Sequence, residues 1–397
     1  MSLLKNKRRI SLRQLKYGNS ETRVAVTILF FVICSWNAPA QENIRFRVAC
    51  WNTENLFDTH HDSLKNDYEF LPNAMRHWNY NRYKKKLSDI ARVITAIGEW
   101  NAPALIGLCE VENDTVLRDL THRSPLQELD YRYVMTDSPD LRGIDVALLY
   151  QRDLFKLLSS RSISIPVFRQ HRPTRDLLHV NGLLLTGDTL DVFVCHLPSR
   201  SGGAKESEPY RLHAAQILRT EVDSVLHTRL HPQVIIMGDF NDYPNNKSIR
   251  KILEAEAPPI RSDSLDIATH PATSPSSLSP LKLYHLLARK AKTANFGSYK
   301  YHGEWGLLDH LIVSGTLLNT SGNFFTHEEK AKVCQLPFLL TDDKKYGGKE
   351  PFRTYKGMKY QGGFSDHLPI YTDFELVLHR QSSHSHRKQF SATTLAQ

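Results

Sequence analysis

One recurring unit constrains this chain more than any other feature. Short apolar, β-prone runs end again and again on an amide, an acid or a histidine. The examples are CWNTEN, GLCEVEN, VCHLPSR, MGDFND, LLDHL and FSDHLP. The runs at 46–51, 104–109, 145–150, 190–196, 234–237, 308–313 and 368–374 read as strands. Two longer segments carry helical spacing instead. Residues 84–100 place Leu87, Ile90, Ile94 and Ile97 on one face, and 210–226 do the same with Ala214, Leu218, Val222 and Val225. Strands and helices come in mixed order, so the expectation is packed sheets flanked by helices, not an alternating parallel sheet.

If these strand ends share one edge, that edge gathers Asn52, Glu110, His196, Asp239, Asn241, Asp309, Asp366 and His367. Carboxylates this close repel one another unless a hard cation and histidines offset them. A donor set of carboxylates and amides, without a thiolate or a dense histidine cluster, suits Mg²⁺ or Mn²⁺ better than zinc. Each piece alone has an ordinary explanation: Gly238-Asp239-Phe240-Asn241-Asp242 reads equally well as a turn. Their joint placement at separate strand ends is what argues for a site.

Taken in order, CWNTENLF, GLCEVEN, VCHLPSR, GDFND, LLDHLIVS and GGFSDHLP resemble the motifs of the endonuclease/exonuclease/phosphatase superfamily. The resemblance runs from about residue 45 to about residue 374 and is nearest to its secreted bacterial members. It implies a four-layered α/β/β/α sandwich, with two facing mixed sheets flanked by helices. It also implies phosphate-ester hydrolysis by activated water with a divalent cation. By the same resemblance Glu110, with Asn52 and Asp366 beside it, serves the metal. Asp239 and Asn241 orient water and phosphate, and His367 is fixed by Asp309. The deoxyribonuclease branch further implies that His196 is paired with an acid, and Asp145 stands in the comparable place. Arg175 resembles a phosphate-contacting arginine, with Arg172 as its competitor.

The formal charge is +9, from 51 basic and 42 acidic residues, and it invites a nucleic-acid reading. Its location removes that argument. Residues 1–40 hold seven bases and one acid, residues 378–397 hold three bases and no acid, and 41–377 is formally neutral. The first 40 residues read as an export signal: a basic stretch, an apolar run over 24–36, and Ala38-Pro39-Ala40 ahead of Gln41. An exported protein, with no membrane insertion after cleavage, is the expectation. Residues 41–377 then form the domain, with a Pro/Ser/Thr-rich surface insertion at 257–280 and a disordered basic tail at 378–397. Cys50, Cys109, Cys195 and Cys334 match no zinc spacing and read as small buried residues.

Two loops carry the substrate question. Pro198-Ser199-Arg200-Ser201-Gly202-Gly203 could bring backbone N–H groups and Arg200 to an anion. Residues 342–361 interleave six bases with Tyr346, Phe352, Tyr355 and Tyr360, a pattern that suits a nucleic-acid strand. The reading is a divalent-metal phosphodiesterase acting on DNA or RNA. A phosphomonoesterase or a sphingomyelinase-like enzyme is the alternative, and a non-catalytic binding protein is disfavoured because no site residue is missing. No protein partner is expected.

Overall fold

A computed structural model describes residues 42–169, 172–260 and 278–378. The apolar runs form strands β1 (Glu42–Leu56), β2 (Leu105–Val111), β3 (Arg132–Met135), β4 (Asp145–Tyr150), β5 (Phe155–Ile163), β6 (Leu177–Leu184) and β7 (Thr189–His196). They continue as β8 (Val234–Asp239), β9 (Leu283–His285), β10 (Asp309–Ser314), β11 (Phe324–Thr326), β12 (Lys332–Val333) and β13 (Ile370–Leu378). The first sheet runs β11-β13-β1-β2-β4-β3, with β12 also on β13; the second runs β5-β6-β7-β8-β10-β9. Each sheet is mixed: β1–β2 and β7–β8 are parallel, whereas β2–β4 and β8–β10 are antiparallel.

The two sheets pack face to face through β2 and β4 against β7 and β8. Gly107 lies in that interface, where an added Cβ would meet the Met237 sulfur at 2.9 Å and Val194 Cγ1 at 3.3 Å. Helices cover the outer faces. Helix α1 (Tyr80–Gly98) buries Leu87, Ile90, Val93, Ile94 and Ile97 in one core with α2 (Asp114–His122). Helix α3 (Ala204–Thr228) buries Ala214, Leu218, Val222 and Leu226 on the second sheet. Each fully buried aliphatic side chain is worth about 2 kcal/mol, so these stripes anchor the outer layers. The result is the expected α/β/β/α sandwich. Helix α1 starts earlier than its spacing indicated, at an Asn79 cap on Arg82 N–H, and stops at Gly98, short of the expected Trp100; α3 extends further at both ends and tolerates Pro209 near its start.

All four described cysteines are buried free thiols. No helix among the described residues is long and apolar enough to cross a membrane. The export signal expected at 1–40 and most of the tail lie outside the described residues, as does 261–277 of the insertion.

Strand β8 approaches β7 with unusual closeness at Gly238. Its φ is +146°, and a Cβ there would lie 1.8 Å from the Cys195 carbonyl oxygen. Gly238→Ala is therefore expected to cost about 3 kcal/mol or more. Gly187→Ala, at φ +87° but in open space, should cost about 1 kcal/mol. Equal denaturant midpoints for the two variants would contradict this account of the β7–β8 contact.

Candidate active site

The site is assembled by strand register. His196 on β7 is directly paired with Asp239 on β8, and Asp239 with Asp309 on β10. Three strand ends thus bring two acids and a histidine into one row. The first sheet supplies the opposite wall through two irregularities. Between Asn52 and Leu56 β1 bulges against β2, with Glu54 and Asn55 at φ +53° and +58°. At Glu110, φ +64°, β2 bulges against β4. Positive φ at these non-glycine residues stores strain, and bulges of this kind re-aim side chains at functional edges.

His367 is the charged centre. Its Nδ1 lies 2.7 Å from Asp309 Oδ2, which also accepts from Ser298 Oγ at 2.5 Å. Burial opposes a charge on this ring, but Asp309, Asp239 and Asp366 outweigh it and raise the pKa well above the ordinary value. Its position is locked: Trp51 Nε1 donates to the His367 carbonyl, and Ser365 Oγ donates to Asn52 O. Tyr299 packs against the ring at 4.8 Å.

His196 has the opposite character. It is 2% exposed, and burial, then Arg175, Arg142 and His367, push its pKa well below the ordinary value. Its Nε2 lies 3.6 Å from Asp239 Oδ2 and 3.9 Å from Glu110 Oε1, and its Nδ1 has no hydrogen-bond partner. Asp239 therefore lies between a neutral and a cationic imidazole, 3.6 and 3.8 Å from their Nε2 atoms. Burial lifts its carboxyl to about 7, against the pull of His367. Asn52 Nδ2 and Asn241 N–H donate to it.

Glu110 accepts from Asn55 N–H and lies 3.5 Å from Arg142. Burial favours its neutral form, yet Arg142, His367, Arg175 and the Asn52 amide together hold its pKa below the usual value. Asn52 thus bridges Glu110 and Asp239. Glu54 stands behind them, receiving N–H bonds from Thr354 and Tyr355, and burial with Asp366 nearby lifts it to about 7.

Two places could hold a divalent cation. Asp239, Asp309 and His367 offer ligand atoms within 4.8 Å of one another. Two of them, however, are already paired through the His367–Asp309 bond, which favours a histidine–carboxylate dyad. Glu110 is held ionised and partly open with the Asn52 amide beside it, and a carboxylate next to an amide is a hard donor pair that fits Mg²⁺ or Mn²⁺.

The sequence matches the model of the Endonuclease/Exonuclease/phosphatase family over residues 47–376, nearly the whole described body. The chain belongs to that family. Its members hydrolyse phosphate esters, and so does this enzyme. Solved structures share the fold. One is a family protein from Bacteroides thetaiotaomicron (14% identity, TM-score 0.52, covering 86% of this chain and 99% of the other). Another is a mannosyl-6-phosphatase from the same species (15%, 0.50, 84% and 99%). The catalytic domain of human nocturnin is also similar (18%, 0.47, 84% and 97%). No curated protein matches the chain.

Several expectations change within this family frame. The Asp145–His196 pair is not formed. Asp145 instead accepts from Thr136 Oγ1 and from the N–H and hydroxyl of Ser138, which explains an acid opening an apolar strand. Arg175 is buried and turned inward, donating to the carbonyls of His196 and Leu197 and pairing with Asp140 at 3.3 Å. Arg200 braces the GDFND turn through Asn241 O and lies over the Tyr243 ring. Arg172 alone of the three is exposed, on the rim of a cleft. In the 342–361 loop, Phe352, Tyr355 and Tyr360 pack inward around α1, and only Tyr346 is well exposed, so little of the expected stacking surface exists.

Sequence reasoning missed Glu54, Arg142, Tyr299 and Lys86. Lys86 is 2% exposed and donates to Thr354 Oγ1 and Phe364 O, beside Glu54 and Asp366. A signal existed: Lys86 stands four residues before Ile90 and seven before Val93, on the apolar face of α1.

Without a bound cation these buried acids should make stability fall at alkaline pH. Asp239 and Glu54 titrate near 7 and Glu112 near 8 when folded, far above their unfolded values. An acid raised in this way stabilises the fold when protonated and loses that contribution as pH rises through its folded pKa. His367, also raised, acts in the same direction, and above pH about 6.5 the depressed histidines are neutral in both states. In EDTA the Tm should therefore be lower at pH 8.5 than at 6.5. Mg²⁺ should raise it more at 8.5, where the carboxylates are ionised. A Tm that rises over this range in EDTA contradicts the assignment.

Proposed function

We propose that the enzyme is an exported, Mg²⁺- or Mn²⁺-dependent phosphodiesterase that cleaves nucleic-acid strands by attack of water on phosphorus. One observation carries this reading: Asp239 lies between a neutral His196 and a cationic His367, all three buried. Glu110 and Asn52, with Glu54 and Asp366 beside them, would hold the cation. When bound, it supplies positive charge to the phosphate oxygens and so stabilises charge that builds in the transition state.

The side chains supply the rest. Asp239, with a pKa near 7 and its second oxygen held by Asn241 N–H, positions a water and takes its proton. A bond forms from the water oxygen to phosphorus and the ester P–O bond opposite it breaks. His367, kept protonated by Asp309, faces the phosphoryl oxygens with a fixed charge. His196 contributes a neutral ring to the same phosphate; the leaving oxygen takes its proton from solvent water, and Asp239 gives the proton it received back to solvent. Arg175 and Arg200 hold the two loops that frame the site.

A second reading, phosphomonoester hydrolysis, is favoured by one observation: the inward packing of Phe352, Tyr355 and Tyr360 leaves little surface for stacking bases. The export reading rests on the composition of residues 1–40.

The test offers the purified chain plasmid DNA, RNA, bis(p-nitrophenyl) phosphate, p-nitrophenyl phosphate and sphingomyelin, each with Mg²⁺ or EDTA. Diester turnover that vanishes in EDTA is expected, and turnover of the monoester alone would overturn the diesterase reading. Asp309→Asn should lower kcat about 10²-fold or more with the circular dichroism unchanged. A kcat within about twofold of the native enzyme excludes the dyad role.

A further inference from the structure

Beside His196 the surface opens into a cleft of about 530 Å³. That lies in the range of small-ligand sites, roughly 300–1,000 Å³. Its walls include Arg142, Arg172, Thr174, Arg175, Ser199 and Ser201. Two of its lining residues also touch active-site residues. Arg175 donates to the His196 carbonyl, and Arg142 lies 3.5 Å from Glu110.

We propose that this cleft is a subsite for a second phosphate group of the substrate, beyond the one that is cleaved. The inference deepens the proposed phosphodiesterase reading and rests on it. Three observations support it. First, three arginines line the cleft against one lining acid, Asp140, which is already engaged by the Arg175 side chain and by the Arg142 backbone N–H at 2.9 Å; Arg175 is spent on Asp140 and two carbonyls and Arg142 stands beside Glu110, which leaves Arg172 uncompensated. The balance of charge toward a ligand is positive. Second, Arg172 is exposed and makes no ion pair with a described residue, so its planar fork is free to grip phosphate oxygens. Third, the Thr174 hydroxyl oxygen is buried in this wall with no hydrogen-bond partner. Buried polar atoms are nearly always satisfied, and an anion in the cleft would provide the acceptor that Thr174 lacks.

A second phosphate can come from two sources: the next linkage of a nucleic-acid strand, or a second phosphoryl group on a small sugar. Calorimetry on the purified chain with Mg²⁺ separates them. Thymidine 3′,5′-bisphosphate is compared with thymidine 5′-monophosphate, and fructose 1,6-bisphosphate with fructose 6-phosphate. One bisphosphate should bind about tenfold more tightly than its monophosphate, and the pair that shows the gain identifies the source. Arg172→Ala should abolish that ratio, and Arg172→Lys should restore part of it. Bisphosphates that bind no tighter than monophosphates overturn the subsite, and so does an Arg172→Ala variant that weakens both members of a pair alike. Failure of the phosphodiesterase reading is scored separately, by absence of bis(p-nitrophenyl) phosphate turnover.

Discussion

The register of three neighbouring strands is the constraint on which the site depends. His196, Asp239 and Asp309 are consecutive rungs at the ends of β7, β8 and β10. A one-residue slip of β8 would turn Asp239 to the other face of the sheet and put Phe240 or Gly238 in its place. Gly238 makes the register possible, because β8 passes too close to the Cys195 carbonyl for any side chain. The row is electrostatically costly in isolation. Two buried carboxylates lie next to one another, and Asp309 Oδ1 has no hydrogen-bond partner. The row is stable because His367 from the other sheet inserts a positive charge between the two acids.

That dependence explains why so many groups outside the row serve to hold His367 and Asn52 in place. Trp51 makes one hydrogen bond and the Ser365 and Ser298 hydroxyls two each, and all of them orient a neighbour. Asn52 links the sheets, since its amide contacts Asp239 of one and Glu110 of the other. The buried Lys86 adds a second cation behind Glu54 and Asp366, limiting their mutual repulsion. Arg175 and Arg200 act on backbone carbonyls of the loops. Their guanidinium groups are thereby withdrawn from direct phosphate binding, and Arg142 and Arg172 remain for that work.

Most of the strands, both major helices and the pooling of polar strand ends could be read from the sequence. Continuous apolar runs such as DVALLY and VIIMGD, buried at every position, and the Leu87–Ile97 stripe are local patterns that burial enforces directly. The pairing of Asp145 was misread because its partners, Thr136 and Ser138, lie across a loop that carries no marked pattern. Glu54 went unrecognised because its partners, the Thr354 and Tyr355 N–H groups, lie three hundred residues away in sequence, and the bulge in β1 that sets its backbone at φ +53° leaves no local pattern. The aromatic residues of 342–361 looked like a binding surface because sequence cannot say which way a loop side chain points.

The sequence by itself determined the layered α/β class and the identity of the acids, amides and histidines that gather at one edge. Hydrophobic periodicity is a local property, and unpaired acids at successive strand ends require a common solution. Tertiary structure alone decided which of these groups are charged. His196 and His367 are the same residue type with the same intrinsic pKa. One is neutral because it is buried beside Arg175 and Arg142; the other is cationic because it is buried against Asp309 and Asp239. The net charge of +9 gave no hint of this, since the balance that matters is set over a few ångströms, where burial strengthens every interaction.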